Sequence, residues 1–223
     1  MHWGGDGPLF IDRDDAGARL AARLREREWS DPVVLGLVRG GVPIARHVSE
    51  ALGAPLDIAV ARKIGAPGHP EFGVGAVTAE GPPWYDMATL AALSLTPADL
   101  QSDCERERAE AKRRLSRYRT GRDPVPLAGR DVLVVDDGLA TGVTARAALR
   151  QLRTAGPRKL VFAAPVCARQ SADALSADGD ADEVVCLAAL TRFGAVGRWY
   201  EDFRQISDAE VLAALEERDR ASH

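Results

Sequence analysis

The sequence predicts an α/β fold in which a mostly parallel, twisted sheet is flanked by helices. Short, continuously apolar segments alternate along the chain with longer segments whose apolar residues recur at the spacing of one helix face. The apolar segments show no alternation of apolar and polar residues, so we expect both faces of the sheet to be covered, as in parallel sheets. The chain has 223 residues, of which 46% are hydrophobic, and this is sufficient for one sizeable core.

The predicted strands are apolar segments bounded by glycine, proline or charged residues. In chain order they are 33–38, 56–60, 72–77, 131–137, 159–165 and 183–188. The predicted helices carry apolar residues at helical spacing, with charged residues between them. They are 12–29, a short helix ending at Leu52, 97–119, a helix ending near Ala155, 169–177 and 207–218.

The segment 62–120 interrupts the alternation of strands and helices, so we interpret it as an insertion that contains a flap. Its Gly/Pro-rich stretch 65–70 has the composition of a mobile loop, and its helix 98–119 is either a lid or a solvated surface helix. The whole chain, 1–223, is predicted to form one domain. It begins with a loose leader at 1–8 and ends with a hood and helix at about 189–223.

Composition argues against several classes of protein. The formal net charge is -4, which leaves no general basic surface for nucleic acid. The three cysteines lie far apart and match neither a disulfide framework nor a metal-ligand spacing. No apolar run reaches the ~18 residues of a membrane span, and the N-terminus lacks the features of a secretory signal, so we expect a soluble, cytoplasmic protein. Motifs of P-loop, zincin, serine hydrolase and dinucleotide enzymes are absent.

The most informative stretch is 134–144, which reads Val-Val-Asp-Asp-Gly-Leu-Ala-Thr-Gly-Val-Thr. A buried strand delivers two adjacent carboxylates, Asp136 and Asp137, to the carboxyl edge of the sheet, where open α/β folds bind ligands. A short loop then opens a helix, and unpaired backbone N–H groups at a helix N-terminus bind anions. Gly142 lets the backbone approach a phosphate closely, and Thr141 and Thr144 add hydroxyl donors. Two acids beside a phosphate cradle suit a sugar phosphate.

This stretch resembles the signature of the type I phosphoribosyltransferase family, in which an apolar strand, two acids and a short apolar linker precede Ala-Thr-Gly-x-Thr. The resemblance implies that Asp136 and Asp137 contact the ribose 2- and 3-hydroxyls. It also implies that the 5-phosphate is bound by the loop residues Ala140, Thr141, Gly142, Val143 and Thr144. A strand-end turn, or the acid pair of a receiver domain or phosphatase, is the alternative for the aspartates, but none of these needs the phosphate loop that follows.

Two further segments resemble the same family. The turn that starts with Arg39-Gly40-Gly41 follows the first strand and is similar to the family's pyrophosphate loop, which often contains a non-proline cis peptide. Arg39 and Gly40 would then contact pyrophosphate, and the Arg39 side chain can donate two hydrogen bonds at once. Arg62 and Lys63, after the second strand, are expected to face the same edge and to offset more of the phosphate charge. A plain glycine turn and a solvated cation pair are the alternatives.

The resemblance implies a magnesium-dependent enzyme that transfers the phosphoribosyl group from 5-phosphoribosyl 1-pyrophosphate to a nitrogen heterocycle. Arg39, Lys63 and Asp137 are the candidate catalytic residues. Mg²⁺ would be held mainly by the substrate, with Asp136 and Asp137 as the candidate protein ligands. The implied partners are these small molecules and a second copy of the chain in a homodimer, without nucleic acid or membrane. The alternatives are a regulator that binds the donor without turnover, and an N-glycoside phosphorylase or nucleosidase.

The acceptor is the least determined part of this prediction. In this family a hood over the base often comes from C-terminal segments, so Phe193 and Trp199 are candidates for stacking on a flat ring, with core packing as the alternative. Ala140 stands where enzymes for 6-oxopurines usually place an aspartate, which disfavours hypoxanthine and guanine. Adenine, a pyrimidine or an unusual heterocycle remains open.

Overall fold

The computed structural model describes residues 7–221, with side chains through residue 218, so residues 1–6 of the predicted leader and residues 222–223 lie outside it. Five parallel strands form the central sheet in the order β2-β1-β6-β7-β8. These strands are β1 (Val33–Leu37), β2 (Leu56–Ala59), β6 (Asp131–Val135), β7 (Lys159–Ala168) and β8 (Glu183–Leu190). The predicted α/β architecture with a parallel sheet is confirmed.

Helices cover both faces of this sheet. One face packs against α1 (Arg13–Arg25), α2 (Gly41–Leu52) and α7 (Asp208–Ala221), and the other packs against α5 (Val143–Arg153) and α6 (Arg169–Ala177). Along β6, Leu133 faces the first layer of helices, and its neighbours Val132 and Val134 face the second. Every residue of β6 is buried, which explains the uninterrupted apolar run in the sequence. None of the helices in 7–221 is long and apolar enough to cross a membrane.

The insertion contains a second sheet, of which the sequence analysis predicted only the strand at 72–77. An antiparallel sheet is formed by β3 (Ala61–Ala66), β4 (His69–Thr78) and β5 (Trp84–Tyr85), and it is followed by α3 (Met87–Ala92) and α4 (Gln101–Tyr118). The stretch 65–70 is the tip of the β3–β4 hairpin rather than a free loop. The predicted helix 97–119 is divided into a 3₁₀ turn, Pro97–Leu100, and α4. Arg62 and Lys63 therefore lie within a strand, not in a loop beyond one.

Local capping sets the start of α1. The Asp12 side chain accepts a hydrogen bond of 2.8 Å from the N–H of Asp15, so the helix begins at Arg13. The helix ends at Arg25 instead of continuing to Trp29 as predicted, and the Trp29 indole N–H donates to the carbonyl of Leu24 over 2.9 Å. This start places the Arg13 side chain at the edge of the sheet where the candidate site lies.

Candidate active site

Two segments that leave neighbouring strands meet at the carboxyl edge of the sheet. β1 and β6 pair in parallel, so the turn after Leu37 and the acids after Val135 lie side by side. The Val38–Arg39 peptide bond is cis, as the resemblance to the pyrophosphate loop implies. A Cβ at Gly41 would lie 2.2 Å from the carbonyl oxygen of Val135, so glycine is needed for the two segments to approach this closely.

Hydrogen bonds to β7 and α6 hold the start of the loop 140–144. The N–H of Leu139 donates to the carbonyl of Val166 over 2.9 Å, and the carbonyl of Leu139 accepts from Ala168 over 2.7 Å. The Ser171 hydroxyl donates to the carbonyl of Ala140 over 2.5 Å. The loop therefore leaves the sheet from a fixed point.

The loop presents a row of unpaired backbone N–H groups. Those of Ala140, Thr141 and Gly142 donate to no other residue within 7–221. Gly142 has a φ of +79°, a conformation that favours glycine, and α5 begins directly after it. The N–H groups of Val143 and Thr144 fall in the first turn of α5, where a helix offers them no partner. Consecutive N–H groups of this kind form an anion-binding site.

Each of the two aspartates is fixed through one oxygen and presents the other. Asp136 Oδ1 accepts the N–H of Asp137 at 2.9 Å. Asp137 Oδ2 accepts Nε and Nη2 of Arg13, at 2.9 and 2.8 Å. The remaining oxygens, Asp136 Oδ2 and Asp137 Oδ1, accept no hydrogen bond from any residue of 7–221. Two unused acceptors therefore stand next to the loop, one on each carboxylate.

Burial shifts the proton affinity of both carboxyls. It raises the pKa of Asp136 well above the usual value, and the neighbouring charge of Asp137 raises it further. Burial also raises the pKa of Asp137, but the guanidinium of Arg13 opposes this effect. Removing these side chains from water is therefore compensated only in part by the contacts within the protein, as is common where a ligand completes a site.

A cavity of about 400 Å³, here called the loop cavity, separates the loop 140–144 from the β3–β4 hairpin. Asp136, Lys63 and Phe72 line it together with the loop. Lys63 Nζ donates to the carbonyl of Glu71 at 2.8 Å and lies 3.0 Å from its carboxylate. Arg62 is not among the residues that line this cavity, but Arg62 and Lys63 together line a neighbouring cavity between the hairpin and α4. The Arg62 guanidinium lies 2.9 Å from the carboxylate of Glu107 in α4, and its contact with pyrophosphate stays a prediction.

A second cavity, of about 440 Å³, lies beyond Asp137 and is called the arginine cavity. Its lining comprises Arg13, Arg39, Gly40, Asp137, Val196, Phe203, Gln205 and Ile206. Val196 lines both cavities, so they adjoin across the aspartate pair. The Arg39 side chain makes no hydrogen bond within 7–221, and its one ion pair there, with Asp208, is 3.6 Å long. Its donors are therefore available to a ligand.

Comparison with known proteins now places the chain in a family. Residues 12–198 match the family model described as the phosphoribosyl transferase domain. The chain belongs to the type I phosphoribosyltransferase family. Two proteins of Mycobacterium tuberculosis, from strains CDC 1551 and H37Rv and named provisionally as phosphoribosyl transferases, are 43% identical to it over 212 residues. The match covers 95% of this chain but 47% of each relative, so the chain spans about half the length of the curated relatives.

A solved structure supports the same assignment of the fold. The crystal structure of the protein TT1426 from Thermus thermophilus is similar to this chain, with a TM-score of 0.77 and 42% sequence identity. The similarity covers 93% of this chain and 98% of that one. The parallel sheet of five strands flanked by helices is the type I phosphoribosyltransferase fold.

The aromatic residues predicted to stack on the acceptor lie in the core of the fold. Phe193 is 7% exposed and Trp199 is 3% exposed, and the Trp199 indole donates to the carbonyl of Phe193 over 3.0 Å. Neither Phe193 nor Trp199 lines the loop cavity or the arginine cavity, which agrees with the core-packing alternative. Phe203 and Val196 are C-terminal side chains that do face a cavity. An aromatic pair in a sequence does not reveal which of its rings packs inward.

Arg13 is the residue of the site that sequence reasoning missed. It is 124 positions away from Asp137, and no motif surrounds it. Its location after the helix-capping Asp12 indicates only that it occupies the first turn of α1. The contact depends on how α1 packs on the sheet, and no local pattern encodes that packing.

Proposed function

We propose that this member of the family is an active enzyme that transfers the phosphoribosyl group from 5-phosphoribosyl 1-pyrophosphate to a nitrogen heterocycle and releases pyrophosphate. The observation that carries the proposal is the pair of unused carboxylate oxygens beside the unpaired N–H groups of the loop 140–144. Two acceptors match two vicinal hydroxyls, and the N–H row matches a phosphate. A ribose 5-phosphate presents these groups at neighbouring positions.

This arrangement suggests where the rest of the donor would lie. With the 5-phosphate on the loop and the hydroxyls at Asp136 and Asp137, C1 of the ribose is directed away from the loop and toward the arginine cavity. Arg39 lines that cavity, and its free N–H groups would donate hydrogen bonds to the pyrophosphate. Lys63, on the hairpin, is the second cation that borders the donor site, and the salt bridge to the exposed Glu71 would have to open for it to reach a phosphate.

In the proposed reaction the bond from C1 to the pyrophosphate oxygen breaks, and pyrophosphate leaves with the electron pair. A nitrogen of the acceptor forms the new bond to C1, and its proton passes to the departing pyrophosphate or to water. Positive charge develops on the ribose ring as the leaving group departs, so the two aspartates below the ring and the cation at the leaving group stabilise the transition state from two sides. Apolar side chains such as Val196 and Phe203 would help to exclude water from C1.

Magnesium fits the residues that are present. Within 7–221 no cluster of three or more histidine, cysteine, aspartate or glutamate side chains could hold a metal ion alone. Mg²⁺ is commonly bound by one or two carboxylates together with substrate phosphates and water. The unused oxygens of Asp136 and Asp137 would supply such ligands next to the pyrophosphate of the donor, where the ion neutralises phosphate charge.

Each of the two alternative functions leaves one feature of the site without an explanation. A regulator that binds the donor without turnover needs the phosphate loop but gives no reason for an uncommitted Arg39 beside C1. An N-glycoside phosphorylase or nucleosidase does not need two acids followed directly by a 5-phosphate loop. A homodimer enters this proposal only through resemblance to the family, and a cytoplasmic location is proposed from the sequence alone.

Calorimetry with 5-phosphoribosyl 1-pyrophosphate and Mg²⁺ tests the proposal without knowledge of the acceptor. We expect the wild-type protein to bind and Asp137→Asn to bind far more weakly, because an amide replaces a charged acceptor. Asp173→Asn, an exposed change on α6, is the matched control and should bind like the wild type. Equal affinity of wild type and Asp137→Asn would remove Asp137 from the site. A screen of nitrogen heterocycles for pyrophosphate release would then identify the acceptor.

A further inference from the structure

Each of the three guanidinium nitrogens of Arg13 donates a hydrogen bond within the protein. Arg13 is 8% exposed, and Nε and Nη2 both donate to Asp137 Oδ2. Nη1 donates to the carbonyl of Arg204 at 2.8 Å, and the guanidinium lies 3.9 Å from the centre of the Phe203 ring. Arg13 thus joins the start of α1, the second aspartate and the segment before α7.

A buried arginine is costly unless a carboxylate and further acceptors compensate its charge. Asp137 is the only carboxylate that pairs with Arg13 among the residues described, and it receives two of the three hydrogen bonds. Arg39 lines the same cavity and makes no hydrogen bond there. The two arginines therefore differ: no side-chain nitrogen of Arg39 donates a hydrogen bond in the described chain, whereas every guanidinium nitrogen of Arg13 donates to Asp137 or to the segment before α7.

The position of Asp137 depends on this contact. The carboxylate torsion of an aspartate is soft, so an unrestrained side chain would sample a broad range of orientations. Two donors on Oδ2 fix the carboxylate plane, and with it the direction of the free Oδ1. Gly40 leaves the space that this orientation needs, because a Cβ there would lie 1.9 Å from Oδ2.

We propose that Arg13 is the positioning residue of the ribose site: it holds Asp137 so that Oδ1 meets a ribose hydroxyl, and it does not itself contact the donor. This inference rests on the proposed function. It assigns a functional role to the start of α1 and links that role to the C-terminal segment through the Arg204 carbonyl and Phe203.

A double-mutant cycle separates positioning from direct binding. Calorimetry would measure the affinities for 5-phosphoribosyl 1-pyrophosphate and for ribose 5-phosphate in the wild type, Arg13→Met, Asp137→Asn and the double variant. We expect Arg13→Met to weaken both ligands by about 10- to 100-fold, the range seen when a group that orients a ligating side chain is removed. In the Asp137→Asn background the same change should have little further effect, because the carboxylate that Arg13 orients is already absent.

Two further variants control for folding. Arg23→Met alters an exposed arginine of the same helix that pairs only with Glu26 in the described chain, and it should leave both affinities unchanged. Arg13→Lys keeps the charge but not the fork of donors, so it should restore part of the affinity, and it serves as the test variant if Arg13→Met fails to fold.

The outcomes are distinguishable. Wild-type affinity in Arg13→Met, or an equal loss of affinity in the presence and absence of Asp137, would overturn the positioning role while leaving the proposed function intact. A wild-type protein that binds neither ligand would contradict the proposed function, and this inference would fail with it. Loss in Arg13→Met, partial recovery in Arg13→Lys and no added loss in the double variant would support it.

Discussion

Replacing Arg39 by alanine should separate pyrophosphate binding from every other contact of the donor. Arg39 is held only by an ion pair of 3.6 Å with Asp208 among the residues of 7–221. Asp208 retains two other partners, Arg117 at 3.0 Å and the Tyr118 hydroxyl at 2.5 Å. A partly exposed ion pair contributes at most about 1 kcal/mol, so we expect Arg39→Ala to melt within roughly 2–4 °C of the wild type.

The effect on binding should be much larger than the effect on stability. Hydrogen bonds to a charged group contribute about 1.5–3 kcal/mol each. Losing one such contact to the pyrophosphate should raise the dissociation constant of 5-phosphoribosyl 1-pyrophosphate by about 10- to 150-fold. Ribose 5-phosphate has no pyrophosphate, so its affinity should not change. Lysine at position 39 should restore only part of the loss, because it cannot make the two-pronged contact of a guanidinium.

Calorimetry with both ligands and a thermal melt are sufficient for this test. Arg117→Ala is the matched control, because it removes another arginine from the same carboxylate, and it should bind both ligands normally. The reasoning fails if Arg39→Ala binds 5-phosphoribosyl 1-pyrophosphate as well as the wild type does. Equal weakening of both ligands would instead assign Arg39 to the sugar phosphate, and a collapse of the melting temperature would make it a structural residue.

Three further predictions follow from the loop, the hairpin and α4. Gly142→Ala places a Cβ at a residue with φ +79°, where the nearest other atom is 3.6 Å away, so we expect backbone strain of about 1–2 kcal/mol rather than a clash. This strain should distort the loop and weaken the binding of ribose 5-phosphate. Gly129→Ala, at φ +75° with no neighbouring atom within 4 Å, is the control and should leave the affinity for ribose 5-phosphate unchanged. Hydrogen exchange should find little protection at 67–72 in the free protein and more with 5-phosphoribosyl 1-pyrophosphate and Mg²⁺, whereas full protection without ligand would argue against a closing flap. Hydrogen bonds from Arg113 and Arg114 lower the pKa of Glu110 from 4.5 to about 2, so its stabilising effect is complete above pH 4.5 and is lost toward pH 2. The difference in melting temperature between wild type and Glu110→Gln should shrink over that interval, and a constant difference would contradict the assignment.

The parts of the fold that the sequence predicted well are those with a strong local pattern. β6 and the loop 140–144 follow from a buried apolar run, two acids and a helix start, and α6 spans the predicted 169–177. β3 has no comparable pattern, because Arg62, Lys63 and Gly65 interrupt its apolar residues. It is a strand because it pairs with β4, and this pairing cannot be predicted from the residues of either segment alone.

The same distinction explains which site residues were predicted. Asp136, Asp137 and the loop 140–144 are nearly consecutive, so one motif contains them all. The location of Arg62 and Lys63 within a strand was not predicted, because these charged residues interrupt the apolar run that would have marked a strand. Phe203 and Arg13 could not be predicted, because what decides their role is the neighbour that each meets across the fold.

Arg13 and Arg39 differ in the hydrogen bonds that their side chains make before any ligand binds. Replacing them should therefore change the affinities for the two ligands in different ways. Arg39 has free donors and lies on the pyrophosphate side of the proposed donor site, so its loss should affect 5-phosphoribosyl 1-pyrophosphate alone. Arg13 donates from each guanidinium nitrogen to the protein, and in our proposal it positions a carboxylate that contacts both ligands, so its loss should affect 5-phosphoribosyl 1-pyrophosphate and ribose 5-phosphate alike. If the two variants gave the same pattern, the separation of the donor site into a ribose part and a pyrophosphate part at Asp137 would be wrong, whatever the fold of the chain.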